Sequence, residues 1–192
     1  MSTPAEGRAS RLCVYCASNL GDDPAFADSA RALGEELGRR GVDLVYGGGH
    51  IGLMGIVADA ALGAGRHVTG VITEELADRE VAHRGVTELV VVADMPARKR
   101  AMYEAADAFM ALPGGVGTME ELFEVLCWAY LGLHPKPIGL LNVSGFYDPL
   151  IQFLDGAVDR GLCKPRVREL LRVGEDPAEL LDRLLRDAPV GG

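Results

Sequence analysis

Short apolar runs alternate along the chain with segments whose apolar positions recur at helical spacing. The runs predict strands at 12–17, 44–46, 67–73, 87–92, 108–112 and 138–142, and the spaced segments predict helices at 24–40, 51–62, 95–106, 118–131 and 147–160. Because the runs are apolar throughout, both faces of their sheet should be covered. Residues 74–86 are polar and irregular, with room for one short helix.

This alternation predicts an α/β fold: a Rossmann-like, doubly wound parallel sheet with helices on both faces. The 192 residues fit a single domain over residues 1–192. We expect residues 1–10 to be flexible and residues 165–192 to form a helical tail. Ligands of such sheets bind at the carboxyl ends of the strands, so the strand-to-helix loops are the candidate sites.

Charge and composition exclude several classes of partner. The chain has 28 acidic and 19 basic residues and a net charge of -9, which disfavours nucleic acid. It has no apolar stretch of membrane-spanning or signal-peptide length, so we expect no membrane partner and a cytoplasmic location. Cys13 and Cys16 form C-x-x-C within a predicted strand, where residues three apart face opposite sides. We therefore expect no metal there, and the four histidines lack metal-ligand spacing.

The first candidate loop is glycine-rich. Gly47, Gly48 and Gly49 follow a predicted strand and begin a G-x-G-x-x-G pattern that ends at Gly52. Such loops bring backbone N–H groups close to a phosphate, and Glu74 lies where dinucleotide folds carry a ribose-binding acid. A tight turn with close packing explains the same glycines. Ser18 and Asn19 follow the first strand and are placed to line the same crevice.

The second loop runs from Pro113 to Glu121 and also joins a predicted strand to a helix. Its glycines suggest an anion site at a helix N-terminus. Thr118 and Glu121 have the T-x-x-E spacing of a capping box, so Glu121 is either a helix cap or a carboxylate beside a ligand.

Three cations, Arg98, Lys99 and Arg100, occur near the start of the predicted helix 95–106. Cations at a helix start oppose the helix dipole, which indicates an anionic ligand; the alternative is a solvated basic patch. Arg98 is the best candidate to point inward.

These motifs together resemble the LONELY GUY family of cytokinin riboside 5′-monophosphate phosphoribohydrolases. The resemblance runs from about residue 12 to residue 160. It rests on the glycine triplet, on Met95-x-x-Arg98-Lys99 and on the PGGxGTxxE element at 113–121. It also includes 78–83, a segment that looks like one near the family's site. Pro96 and Ala97 depart from the polar residues that members often carry, which bears on base selectivity.

The resemblance implies hydrolysis of the N-glycosidic bond of cytokinin riboside 5′-monophosphates and AMP, which releases the base and ribose 5-phosphate and activates cytokinin. It implies a homodimer, no metal and no cofactor, with a purine nucleoside 5′-monophosphate as the partner molecule. It gives Arg98 and Glu121 as the catalytic pair. The residues expected to contact substrate are Ser18, Gly47, Gly48, Gly49, Met95, Arg98, Lys99, Gly114, Gly115, Val116, Gly117, Thr118 and Glu121.

The expected chemistry places a carboxylate beside an oxocarbenium-like ribose, as electrostatic stabiliser or as base for water. A location near a helix start predicts that Glu121 is charged, which suits a base better than an acid. Arg98 would hold the phosphate or a hydroxyl and assist the departing base.

Three other functions compete. A lysine decarboxylase needs pyridoxal phosphate on a lysine, and the chain has only Lys99, Lys136 and Lys164. An NAD-dependent oxidoreductase would use the first glycine loop and Glu74 but leave the second loop unused. A non-enzymatic nucleotide or molybdenum-cofactor binding module shares the glycine loops but does not need a catalytic pair.

The predicted helix after Met119 is apolar on most of its circumference. Burial in the core and a dimer interface explain this pattern equally well.

Overall fold

The computed structural model describes residues 10–79 and 82–188, in which seven strands alternate with eight α-helices. The strands are β1 Arg11–Tyr15, β2 Asp43–Tyr46, β3 Val68–Thr73, β4 Glu88–Val92, β5 Ala108–Ala111, β6 Ile138–Leu141 and β7 Leu171–Gly174. The helices are α1 Pro24–Arg40, α2 Gly52–Gly63, α3 Glu74–Arg79, α4 Met95–Ala105, α5 Val116–Tyr130, α6 Asp148–Asp159, α7 Arg166–Glu169 and α8 Pro177–Asp187. A 3-10 turn spans Val143–Gly145.

All seven strands form one parallel sheet in the order β4-β3-β2-β1-β5-β6-β7. The chain builds outward from β1 to β4, returns to place β5 beside β1, and builds outward again to β7. The order therefore reverses between β1 and β5, which is where a doubly wound sheet opens a crevice at its carboxyl edge. This confirms the predicted fold class.

Apolar side chains on the two faces of the sheet form two separate cores. One lies under α1, α2 and α8, and the other lies under α4, α5 and α6. Cys16 belongs to the first core and Cys13 to the second, so the predicted opposite orientation of the two thiols is confirmed. No group of residues within the described ranges has the geometry to hold a metal ion.

Helix α1 shows how local sequence and packing agree. The Asp23 side chain accepts a hydrogen bond from the Ala25 N–H, Pro24 occupies the first helical position, and Gly41 ends the helix at φ 67°. The face towards α2 carries Gly34 and Gly38, where an added Cβ would lie 2.5 Å from Ala60 Cβ and 2.3 Å from Ala64 Cβ, respectively. The two helices thus pack with almost no side chain between them.

The tail differs in part from the helical prediction. Helices α7 and α8 are present, but the segment Leu171–Gly174 between them is a strand that pairs with β6, Ile138 opposite Leu171. Helical spacing was a poor guide here, because this short segment extends along β6 and satisfies that strand's backbone groups. The prediction for residues 1–10 falls almost wholly outside the described residues. No helix in the described ranges is long and apolar enough to cross a bilayer.

Candidate active site

A cavity of about 530 Å³ opens at the carboxyl ends of β1, β2, β3 and β5, at the reversal of strand order. Its walls come from the loop after β1 and from the first residues of α3, α4 and α5. The lining residues are Val14, Tyr15, Cys16, Ala17, Ser18, Asn19, Gly47, Met54, Thr73, Glu75, Leu76, Met95, Arg98, Gly115, Val116, Gly117, Thr118 and Glu121.

Arg98 lies in the wall of this cavity with only 7% of its surface exposed. Its Nε donates to the carbonyl of Val71 at 2.9 Å, and its Nη2 donates to the carbonyl of Gly47 at 3.1 Å. The remaining terminal nitrogen, Nη1, lies 3.4 Å from Oε1 of Glu121. Two backbone carbonyls therefore orient the guanidinium, and its free edge faces Glu121. The prediction that Arg98 points inward is confirmed.

Glu121 projects from the second turn of α5 and is nearly buried, with 11% of its side chain exposed. Burial raises its pKa to about 7, although the charge of Arg98 acts in the opposite direction. The sequence-based argument that the helix start favours the charged form of Glu121 left out this burial, which acts in the opposite direction. Glu121 is the sixth residue of α5, beyond the first turn where the helix dipole acts, and desolvation dominates.

Helix α5 begins earlier than predicted, and this changes the role of Thr118. Gly115 is the N-cap residue and no side chain caps the helix, so the predicted capping box between Thr118 and Glu121 is absent. Thr118 is instead buried in the cavity wall. A Cβ at Gly114 would lie 2.1 Å from its Oγ1, so Gly114 leaves room for Thr118.

The first glycine loop packs against Arg98 and against the loop after β1. A Cβ at Gly47 would lie 2.2 Å from Nη2 of Arg98. The carbonyl of Gly48 accepts from the N–H of His83, and Gly49 forms a bridge with Ala82. Gly52, at φ 64°, packs directly against the backbone of the loop after β1. Close packing therefore accounts for the glycines at positions 47 and 52.

The structure brings most predicted substrate contacts to the cavity, but not all. The predicted residues that line it are Ser18, Gly47, Met95, Arg98, Gly115, Val116, Gly117, Thr118 and Glu121. Gly48, Gly49, Lys99 and Gly114 do not line it. Lys99 is directed to α5, where its Nζ bonds Glu120 and Glu124.

Several lining residues were not predicted as substrate contacts. Thr73, Glu75 and Leu76 lie where β3 passes into α3, and Met54 reaches in from α2. The end of the predicted strand 67–73 was the available signal for Thr73, Glu75 and Leu76. Glu74, which the sequence suggested as a ribose ligand, is exposed and does not line the cavity. The family-like segment 78–83 lies partly outside the described residues, at Glu80 and Val81, and of its remainder Ala82 and His83 pack on the first glycine loop.

Comparisons with known proteins show which families this chain resembles. A family profile described as "Possible lysine decarboxylase" matches residues 54–184. The cytokinin riboside 5′-monophosphate phosphoribohydrolase LOG of Oryza sativa subsp. japonica is 50% identical, over 93% of this chain and 74% of that protein. The enzyme LOG7 of Arabidopsis thaliana, which carries the same activity name, is 49% identical, over 93% of this chain and 82% of that protein.

Solved structures give the fold alone. The Moco carrier protein of Chlamydomonas reinhardtii matches with a TM-score of 0.70 at 20% identity, over 94% of this chain and 98% of that chain. The molybdenum cofactor binding protein of Rippkaea orientalis matches with a TM-score of 0.68 at 20% identity, over 93% of this chain and 96% of that chain.

The profile's description implies pyridoxal phosphate, and the residues do not fit that cofactor. Its chemistry requires a lysine at the site. No lysine occurs among the described lining residues. Lys99 bridges two glutamates on α5, and the Nζ of Lys136 donates to the carbonyl of Tyr103 at 2.6 Å.

Half of the sequence positions match the LOG enzymes across most of both chains. On that identity the chain belongs to the LONELY GUY (LOG) family of cytokinin riboside 5′-monophosphate phosphoribohydrolases.

Proposed function

We propose that the protein hydrolyses the N-glycosidic bond of cytokinin riboside 5′-monophosphates and of AMP. The products are the free base, hence an active cytokinin, and ribose 5-phosphate. The observation that carries the proposal is the buried pair Arg98–Glu121, 3.4 Å apart in the wall of a cavity at the strand-order reversal. The names of the relatives support the same activity.

The phosphate would bind at the N-terminus of α5. The first N–H groups of a helix have no partner within the helix, and the helix dipole favours an anion there. Gly115 and Gly117 line the cavity, and a Cβ on either would meet no protein atom within 4 Å. Packing does not demand glycine at these two positions, whereas the close approach of a ligand would favour it.

The carboxylate of Glu121 would act on the ribose. As the C1′–N9 bond breaks, its electron pair leaves with the base, which takes up a proton from solvent, and positive charge develops on the sugar. Ionised Glu121 stabilises that charge and accepts a proton from the water that attacks C1′. Arg98 favours the ionised form of Glu121 and presents its remaining N–H groups to the nucleotide.

An end-point assay tests the proposal. Purified protein is incubated with AMP and with N6-isopentenyl-AMP, and released base is quantified by chromatography. Glu121→Gln should abolish release because the amide cannot accept the proton. The matched control Glu104→Gln changes an exposed residue of α4 outside the cavity and should leave release unchanged. AMP binding without release from either nucleotide by the folded wild-type protein would reject the hydrolase and favour a carrier module.

We also propose that two copies associate through the outer face of α5. Phe123 and Cys127 are exposed at successive turns of this helix, and exposed Leu131 directly follows its last residue. Phe123 is 38% exposed and Leu131 is 63% exposed. Exposed apolar side chains that continue along one helix face are typical of an interface.

We also propose that the protein is located in the cytoplasm. The four cysteines are free thiols, and Cys13 and Cys16 are buried on opposite faces of the sheet. Unpaired buried thiols suit a reducing compartment.

A further inference from the structure

Two adjacent ionic contacts connect α4 to α5. The inner one joins Arg98 to Glu121 at the cavity wall. The outer one starts from the next residue, Lys99, whose Nζ bonds Glu120 and lies 3.0 Å from Oε1 of Glu124. The Lys99 side chain is only 17% exposed. Lys99, the neighbour of Arg98 in sequence, is therefore bonded to Glu120, the neighbour of Glu121.

This outer contact offsets the repulsion between neighbouring carboxylates on α5. The helix carries three carboxylates within two turns, and a buried carboxylate beside two like charges ionises with difficulty. Glu120 and Glu124 oppose the ionisation of Glu121, whereas Lys99 and Arg98 favour it. Lys99 is placed directly on the two opposing groups.

The other groups that face Glu121 do not replace Lys99. Cys13, Tyr15 and Cys16 interact electrostatically with it from β1 and the loop that follows, and burial raises the pKa of each, so they are uncharged at neutral pH. Glu75, from α3, also lines the cavity. The positive groups acting on Glu121 from the described residues are the two on α4.

We propose that Lys99 is a positioning residue for the reaction: its bridge to Glu120 and Glu124 holds α4 against α5 and screens the Glu121 carboxylate from those two charges. This inference rests on the proposed function, in which Glu121 must be ionised. It gives Lys99 a role that does not require contact with the substrate.

The test compares the pH dependence of kcat in three variants. Lys99→Met should move the acid limb of the profile up by about half a pH unit, so that turnover at pH 6 falls about threefold. Lys99→Arg keeps the charge and should restore the wild-type limb. Glu120→Gln/Glu124→Gln removes the opposing charges and should move the limb to lower pH. The phosphate of the substrate titrates identically in all variants, so differences between them report the enzyme.

A purely structural role makes a different prediction. It would lower the thermal unfolding midpoint of Lys99→Met and of the double glutamine variant. It would not move the acid limb of one variant to higher pH and that of the other to lower pH. The proposal would be overturned if the acid limb of Lys99→Met matched that of the wild type. It would also be overturned if Lys99→Arg shifted this limb as far as Lys99→Met does.

Infrared titration separates this proposal from the proposed function. The difference between wild-type and Glu121→Gln spectra isolates the Glu121 carboxylate without any turnover. If the protein releases no base, the Lys99→Met background should still raise the titration midpoint of that carboxylate. An unchanged midpoint would refute the role of Lys99 whatever the reaction is.

Discussion

Glycines at the site serve two distinct purposes at the scale of single residues. Gly47 and Gly114 leave room for protein, because a Cβ would collide with Arg98 in one case and with Thr118 in the other. Gly115 leaves room that no protein atom fills. Alanine at a glycine that makes room for protein should lower kcat, whereas alanine at a glycine that makes room for the ligand should raise KM.

Gly47→Ala should displace the Arg98 guanidinium and lower kcat by about 10²–10³, the usual loss for one misplaced charge-stabilising donor. Steady-state kinetics with AMP provides the measurement. Gly115→Ala is the comparison: with Arg98 undisturbed, it should raise KM much more than it lowers kcat. Equal kinetic effects of the two alanines would contradict this division.

The raised pKa of Glu121 predicts the pH dependence of the reaction. A group that works ionised with a pKa of about 7 gives turnover that rises with pH and levels off above neutrality. Measurement of kcat between pH 5 and 9 checks this. A rate that falls through pH 7 would instead make Glu121 a general acid.

The same group links stability to pH. The folded protein holds this proton up to about pH 7, whereas the unfolded chain releases it near 4.5. The stabilisation from proton binding is therefore present at low pH and is lost as pH rises through this interval. Urea unfolding at pH 5 and pH 8 should show Glu121→Gln gaining stability relative to wild type at the higher pH. A constant difference would show that burial does not raise this pKa.

At the scale of elements, close helix packing fixes the half of the sheet that carries the first glycine loop. Gly34 and Gly38 bring the backbone of α1 close to Ala60 and Ala64 of the α2 region. Helix α2 in turn starts at Gly52, which packs on the loop after β1. The position of the cavity wall thus depends on small residues far from the chemistry.

Gly38→Val should destabilise the fold by about 1–3 kcal/mol because the added atoms have no space against Ala64. Urea denaturation measures this loss. Gly156→Ala on α6 is the matched control: a Cβ there meets nothing within 4 Å, and alanine should stabilise the helix by about 0.5–1 kcal/mol. A neutral Gly38→Val would show that α1 can move away from α2.

At the scale of the whole molecule, the site exists because the strand order reverses between β1 and β5. Residues from four strand ends and three helix starts meet there, although they are spread from Val14 to Glu121 in sequence. The outer surface of one contributing helix, α5, carries exposed apolar residues. The proposed interface and the cavity would therefore use different faces of the same helix.

Phe123→Glu should shift the protein towards monomers by placing a charge on the proposed interface. Light scattering coupled to size exclusion measures the mass. Phe153→Glu on α6, where the phenylalanine is 65% exposed, should leave the mass unchanged. Monomeric wild-type protein would remove the proposal, and dissociation by Phe153→Glu would move the interface to α6.

The sequence by itself determined the α/β class and six of the strands, and its resemblance to the LONELY GUY family implied the pairing of Arg98 with Glu121. Apolar periodicity and glycine spacing are local properties, and parallel strands bring their carboxyl ends to one edge. The tertiary structure decided what depends on three-dimensional neighbours. The strand Leu171–Gly174 forms because β6 offers it a partner, and Lys99 turns from the cavity because two glutamates on α5 meet it. The ionisation of Glu121 was decided in the same way, since burial by surrounding elements outweighs its place in the helix.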